Sequence, residues 1–157
     1  MKLFYYAAAL LLPFSYLHAD EIAVTMHSLT NDGVGKAIGV IVVEETAQGL
    51  RFQPHLRNLE PGSYAFTVNE NVGCGIAYNA SAGMNAQGMA AGNSINQLPT
   101  LKVNAQGAAD QAITMDGMSL QNIRGRTLVI STSSGSSSNV SQGNQQRIAC
   151  GSLEEHR

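Results

Sequence analysis

The chain has 157 residues, 44% of them hydrophobic and only 13% charged, with a formal net charge of −2. There is no Lys/Arg cluster and few aromatic residues, which excludes a nucleic-acid-binding surface of the usual basic kind. The length suits one domain with one core after any leader is removed.

Met1–Ala19 reads as a secretory signal peptide. Lys2 supplies the positive start, Leu3–Leu12 the apolar run, and His18-Ala19 precedes the acidic Asp20-Glu21. The stretch is too short and wrongly flanked for a membrane span, and no later segment approaches spanning length. Cleavage after Ala19 takes 19 residues from 157 and leaves a domain of 138, residues 20–157. Such a chain is exported, and after cleavage it holds nothing that anchors it in a membrane.

The exported part reads as eight short strands. Glu21–Leu29 alternates, with Ile22, Val24 and Met26 on one face. Asn31-Asp32-Gly33 is a turn, and Lys36–Glu45 is a second strand rich in β-branched residues. Gly49–His55 is the third. Pro61-Gly62 punctuates the chain before Tyr64–Glu70, in which Tyr64, Phe66 and Val68 alternate with Ala65, Thr67 and Asn69. Leu101–Asn104 and Asp110–Met115 are joined through Ala105-Gln106-Gly107. Asp116-Gly117, between Met115 and Met118, is a turn. Arg126–Thr132 and Gln145–Cys150 complete the set. Turn signals at this spacing point to an all-β sandwich or flattened barrel, with no long amphipathic helix. Asn71–Asn96 and Ser131–Gln146 are loops by composition. Asn79-Ala80-Ser81 and Asn139-Val140-Ser141 match the N-glycosylation triplet by chance. Glu44-Glu45 and Glu154-Glu155 are solvated charges rather than an acid/base pair. Cys74 has one possible partner, Cys150; in an exported protein one disulfide is the simplest reading, with two free thiols the alternative.

Four pieces in order resemble the copper/zinc superoxide dismutase family, in its periplasmic bacterial form. Ala65-Phe66-Thr67-Val68-Asn69 holds the frame of that family's G-F-H-x-H, and Cys74 follows at the family's distance. Leu98-Pro99 with Leu101–Gly107 is similar to the end of the zinc loop and the strand after it. Arg147-Ile148-Ala149-Cys150-Gly151 matches the closing R-x-A-C-G. The resemblance implies an eight-stranded Greek-key β-barrel with long loops and a Cys74–Cys150 disulfide. It also implies a periplasmic location, and an arginine, Arg147, at the anion-guiding position.

The same frames lack the ligands. The family holds copper and zinc with six histidines and an aspartate, donors suited to those ions. After Ala19 this chain has only His27, His55 and His156, none in a ligand frame; they read as polar residues of strand edges and the C-terminal tail. Thr67 and Asn69 stand for the first copper pair and Ser131 for the late copper histidine. Met84 stands for the bridging one. Gly92–Pro99 replaces G-H-x-G-D-L-P without its histidine or aspartate. Hydroxyls and amides are poor copper ligands but can bond to one another. Arg147 is then expected to bond backbone carbonyls of the disulfide loop, where a forked donor is useful.

The expectation is an exported, catalytically inactive member of this fold with no cofactor, serving as an interaction or binding module for a protein partner. Partner and oligomeric state are not legible. Two alternatives stand beside it. One is periplasmic copper handling through the thioethers of Met84, Met89, Met115 and Met118, whose bland counterpart is gap-filling, or residual superoxide dismutase activity. The other is an unrelated secreted β-sandwich, such as a pilus or adhesin subunit.

Overall fold

A computed structural model describes residues 20–30, 32–75, 91–132 and 146–154. The signal segment, Met84, Met89, His156, Glu155 and both glycosylation triplets lie outside the described residues.

Eight antiparallel strands form one nearly closed barrel: β1 Glu21–Thr30, β2 Gly33–Glu45, β3 Gly49–Leu56, β4 Gly62–Asn69, β5 Ser94–Val103, β6 Ile113–Asp116, β7 Thr127–Thr132 and β8 Arg147–Ser152. Their order is β5-β4-β7-β8-β1-β2-β3-β6. The alternation seen in the sequence sorts side chains onto the two faces of this sheet. Ile22, Val24 and Met26 point inward from β1, and Tyr64, Phe66 and Val68 from β4; all six are buried. Phe52 of β3 and Phe66 of β4 meet edge to face at the centre, rings 5.6 Å apart and at 83°, a favoured aromatic geometry.

The strand expected at 101–104 is longer and begins at Ser94. The stretch Ser94–Asn96, expected as loop, pairs with Asn69 and Val68 of β4. Pairing with β4 satisfies its backbone N–H and C=O groups. Pro99 sits in the strand because the register slips there: Leu98 faces Phe66 and Leu101 faces Tyr64, leaving two residues of β5 against one of β4. Such a bulge tolerates the missing N–H. β5 and β6 are neighbours in sequence but pair with different strands, β4 and β3. β6 is also shorter than expected, Ala109 making only a single bridge to Leu56.

A single helical turn, α1 Leu120–Ile123, follows the Asp116-Gly117 turn. Asn122 Oδ1 accepts from Ser119 N at 3.0 Å and from Ser119 Oγ at 2.7 Å. Glu45 Oε2 accepts from Leu120 N at 3.0 Å, so Glu45, exposed as expected, also caps this turn. Glu44 pairs loosely with the exposed Arg51 at 3.6 Å.

Candidate functional site: the outer face of strand β4

Residues that alternate with the core on β4 point outward, beneath the chain that leads into and out of 76–90. Ala65, Thr67 and Asn69 lie opposite Ser131, Val129 and Thr127 of β7. Val129 and Ser131 lie in turn opposite Cys150 and Arg147 of β8. The tertiary structure therefore brings Thr67, Asn69, Ser131 and Arg147 onto one face. Met84 lies outside the described residues.

The site is a hydrogen-bonded junction. Thr67 Oγ1 donates to Asn69 Oδ1 at 2.7 Å. Asn69 is almost fully buried, and its Nδ2 donates to the Gly92 carbonyl at 2.9 Å. Arg147 Nη2 donates to that same carbonyl at 2.7 Å. A carbonyl oxygen has two lone pairs, so it can take both donors. Burial pushes the Arg147 guanidinium below its ordinary range, by making the charged form less favourable; the guanidinium still stays a cation. The expected bonding of Arg147 to a loop carbonyl is what the structure has.

Gly92 is the residue whose role the sequence concealed. Its φ of +75° suits glycine, and a Cβ there would stand 2.6 Å from Asn71 Nδ2 and 2.7 Å from Glu70 Cγ. Its neighbours are clamped as well. Asn71 N donates to Ala91 O, Glu70 N to Asn93 O, and Glu70 Oε1 accepts from both Asn93 N and Asn93 Nδ2 at 3.0 Å. The signal was a glycine where the family pattern also opens with one; nothing marked its carbonyl as the shared acceptor.

Beside the junction lies a small apolar cluster: Leu29, Ala91, Val129 and Cys150, with Cys74 against it. Cys74 and Cys150 are joined, Cα atoms 5.6 Å apart. Gly151 follows because β1 runs too close for a side chain: a Cβ there would meet Thr25 O at 2.6 Å. His27 is not at a strand edge as expected. It is half-buried on β1, between β2 and β8, and opposite Cys150. His55 is exposed on β3.

The family's copper is held by imidazoles and its zinc by imidazoles with a carboxylate. The outward positions offer two alcohols, an amide and a guanidinium. Their donor and acceptor atoms on Thr67 and Asn69 are already turned to protein partners. The orphaned buried polar side-chain atom among the described residues is Thr127 Oγ1, a neutral alcohol. Among the described residues no group of three or more His, Cys, Asp or Glu is placed to hold a metal. These residues do not fit copper or zinc. The thioethers outside this face fare no better: Met118 is buried in the core and Met115 packs against it.

A family model described as copper/zinc superoxide dismutase (SODC) matches residues 37–153. The chain belongs to the copper/zinc superoxide dismutase family. Membership removes the alternative of an unrelated β-sandwich. The chain is similar to Superoxide dismutase [Cu-Zn] 2 of Salmonella typhimurium, 30% identical over 173 aligned positions that cover 98% of this chain and 100% of the relative. It is 29% identical to Superoxide dismutase [Cu-Zn] of Escherichia coli K12, with the same coverage. The monomeric copper, zinc superoxide dismutase from Salmonella enterica superposes with a TM-score of 0.72 at 28% identity, covering 85% of this chain and 99% of that one. The Brucella abortus enzyme gives 0.75 at 24% identity, covering 86% and 100%, a likeness of fold alone. The family's barrel is present here, and the outward positions of β4 and β7 carry hydroxyl and amide side chains.

Proposed function

We propose that this protein is a non-catalytic member of the superoxide dismutase fold, exported to the periplasm after removal of residues 1–19, where it acts as an interaction module. The observation that supports this is the exchange of ligands for a bonded junction. Superoxide dismutation needs a metal that takes and returns an electron. Thr67, Asn69 and Ser131 supply no donor of that kind, and the side chains of Thr67 and Asn69 already serve one another and Gly92 O. Function on a shared fold resides in the site grafted on it, so a barrel without its metal frame is free to serve through its surface. Periplasmic location rests on the leader pattern and on similarity to bacterial relatives.

The test is to express the chain with copper and zinc supplied, purify it from the periplasmic fraction, and measure bound metal and superoxide removal. The expected result is substoichiometric metal and no turnover above free buffer. Stoichiometric copper with dismutase turnover overturns the proposal. Cross-linking in the periplasm followed by mass spectrometry then identifies the partner.

A further inference from the structure

The two sulfurs of the disulfide are unequally presented. Cys150 is fully buried, in a strand paired on both sides, by β7 and by β1. Cys74 is partly exposed, beyond the end of β4, and it lines a groove of about 270 Å³ with Thr25, His27, Gly151, Ser152 and Glu154. His27 and Cys150 are direct cross-strand partners. Such partners project from one face of a sheet with Cβ atoms about 4.5–5.5 Å apart. The imidazole of His27 thus shares a face with the buried sulfur and a groove with the accessible one. Thiol–disulfide exchange depends on which sulfur can be approached and on how readily the other leaves. Here the groove opens on Cys74, and a potential proton donor stands on the side of Cys150.

We propose that Cys74 is a thiol-modification site, at which a small aliphatic thiolate enters the groove and attacks Cys74 Sγ. A bond forms between the incoming sulfur and Cys74 Sγ, and the Cys74–Cys150 bond breaks. Its electron pair leaves with Cys150 Sγ as a thiolate, which takes a proton from solvent relayed through the His27 imidazole. The products are a mixed disulfide on Cys74 and a thiol on Cys150; the incoming thiolate is the only co-reactant. A proton relay beside a departing thiolate lets it leave as a neutral thiol, which favours this direction of cleavage. The volume suits a small thiol rather than a folded domain. Modification unfastens Cys74 from β8, while Arg147 of β8 still holds the Gly92 carbonyl.

The experiment uses the purified oxidised protein in 2-mercaptoethanol near neutral pH, without denaturant. Acid quenching, alkylation with iodoacetamide and peptide mass mapping then locate each group. The expected early product carries mercaptoethanol on Cys74 and the alkyl group on Cys150. The reverse pattern, or equal labelling of both, overturns the proposal. So does a reduction rate no faster than exchange of the slowest core amides, because cleavage would then require global unfolding. His27→Gln is expected to slow the native exchange several-fold while leaving the melting temperature of the oxidised protein unchanged. An unchanged rate in that variant overturns the role given to His27.

Discussion

Strand β4 has two faces that obey different rules. Its inner face, Tyr64, Phe66 and Val68, is buried in the barrel. Its outer face carries Thr67 and Asn69, opposite Val129 and Thr127 of β7. Packing holds the inner face to large apolar residues, because any void or polar atom there is costly. The outer face must satisfy its polar atoms, and Asn69 meets that requirement through Thr67 and Gly92. The comparison teaches that this barrel can keep its shape while the chemistry of its outer face changes, since the two faces of one strand draw on separate interactions.

The sharpest way to break that comparison is in the core. Phe66→Ala removes one half of the aromatic pair with Phe52 and is expected to cost about 3–5 kcal/mol. Urea unfolding measures it, and a smaller loss than that of the outer-face variants would reverse the ranking of the faces. The disulfide comes next. It joins residues 76 apart in sequence, which in the chain-entropy model is worth about 4 kcal/mol. Reduction should lower the melting temperature by many degrees, whereas chelator on protein purified without added metal should leave it unchanged. A drop with chelator alone would reveal a metal whose binding supports the fold.

On the outer face, Asn69→Ala leaves Thr67 Oγ1 without its acceptor and removes one donor from Gly92 O. A loss of about 1–3 kcal/mol is expected from the unsatisfied groups. Protease cleavage after β4 should also quicken, detectable by mass spectrometry of limited digests. If stability is unchanged, Arg147 alone holds Gly92.

The smallest effect concerns Tyr64, whose hydroxyl donates to Glu60 O at 2.7 Å. Burial first, and the Glu60 carboxylate second, raise its phenol above the usual 10.0. Folding therefore favours the neutral phenol. That contribution is complete below the unfolded value and fades as pH rises through the higher folded one. Tyr64→Phe should cost about 0.5–1.5 kcal/mol at neutral pH. It should also make the fall in stability above pH 10 shallower, as seen in denaturant midpoints across the alkaline range.

Much of this protein could be read from its residues in order. Period-2 alternation in Glu21–Leu29 and Tyr64–Glu70, with Pro61-Gly62 and Asp32-Gly33 as breaks, was enough to place strands, because strand faces alternate whatever the partner. Two cysteines and the frames around them marked one bridge and one family. That Thr67, Asn69 and Ser131 offer only hydroxyls and an amide needed no coordinates, since donor chemistry belongs to the side chain itself. Tertiary structure alone decided the rest. Ser94–Asn96 became strand because β4 offered a free edge. Glu45 became a cap because α1 packs beside the end of β2. The Gly92 carbonyl became the shared acceptor of Asn69 and Arg147, which are distant from it in sequence. His27 became the neighbour of a buried sulfur because β1 lies against β8. Each of these depends on backbone atoms or strand pairings between segments far apart in the chain, and such contacts leave no periodicity or composition in either segment to betray them.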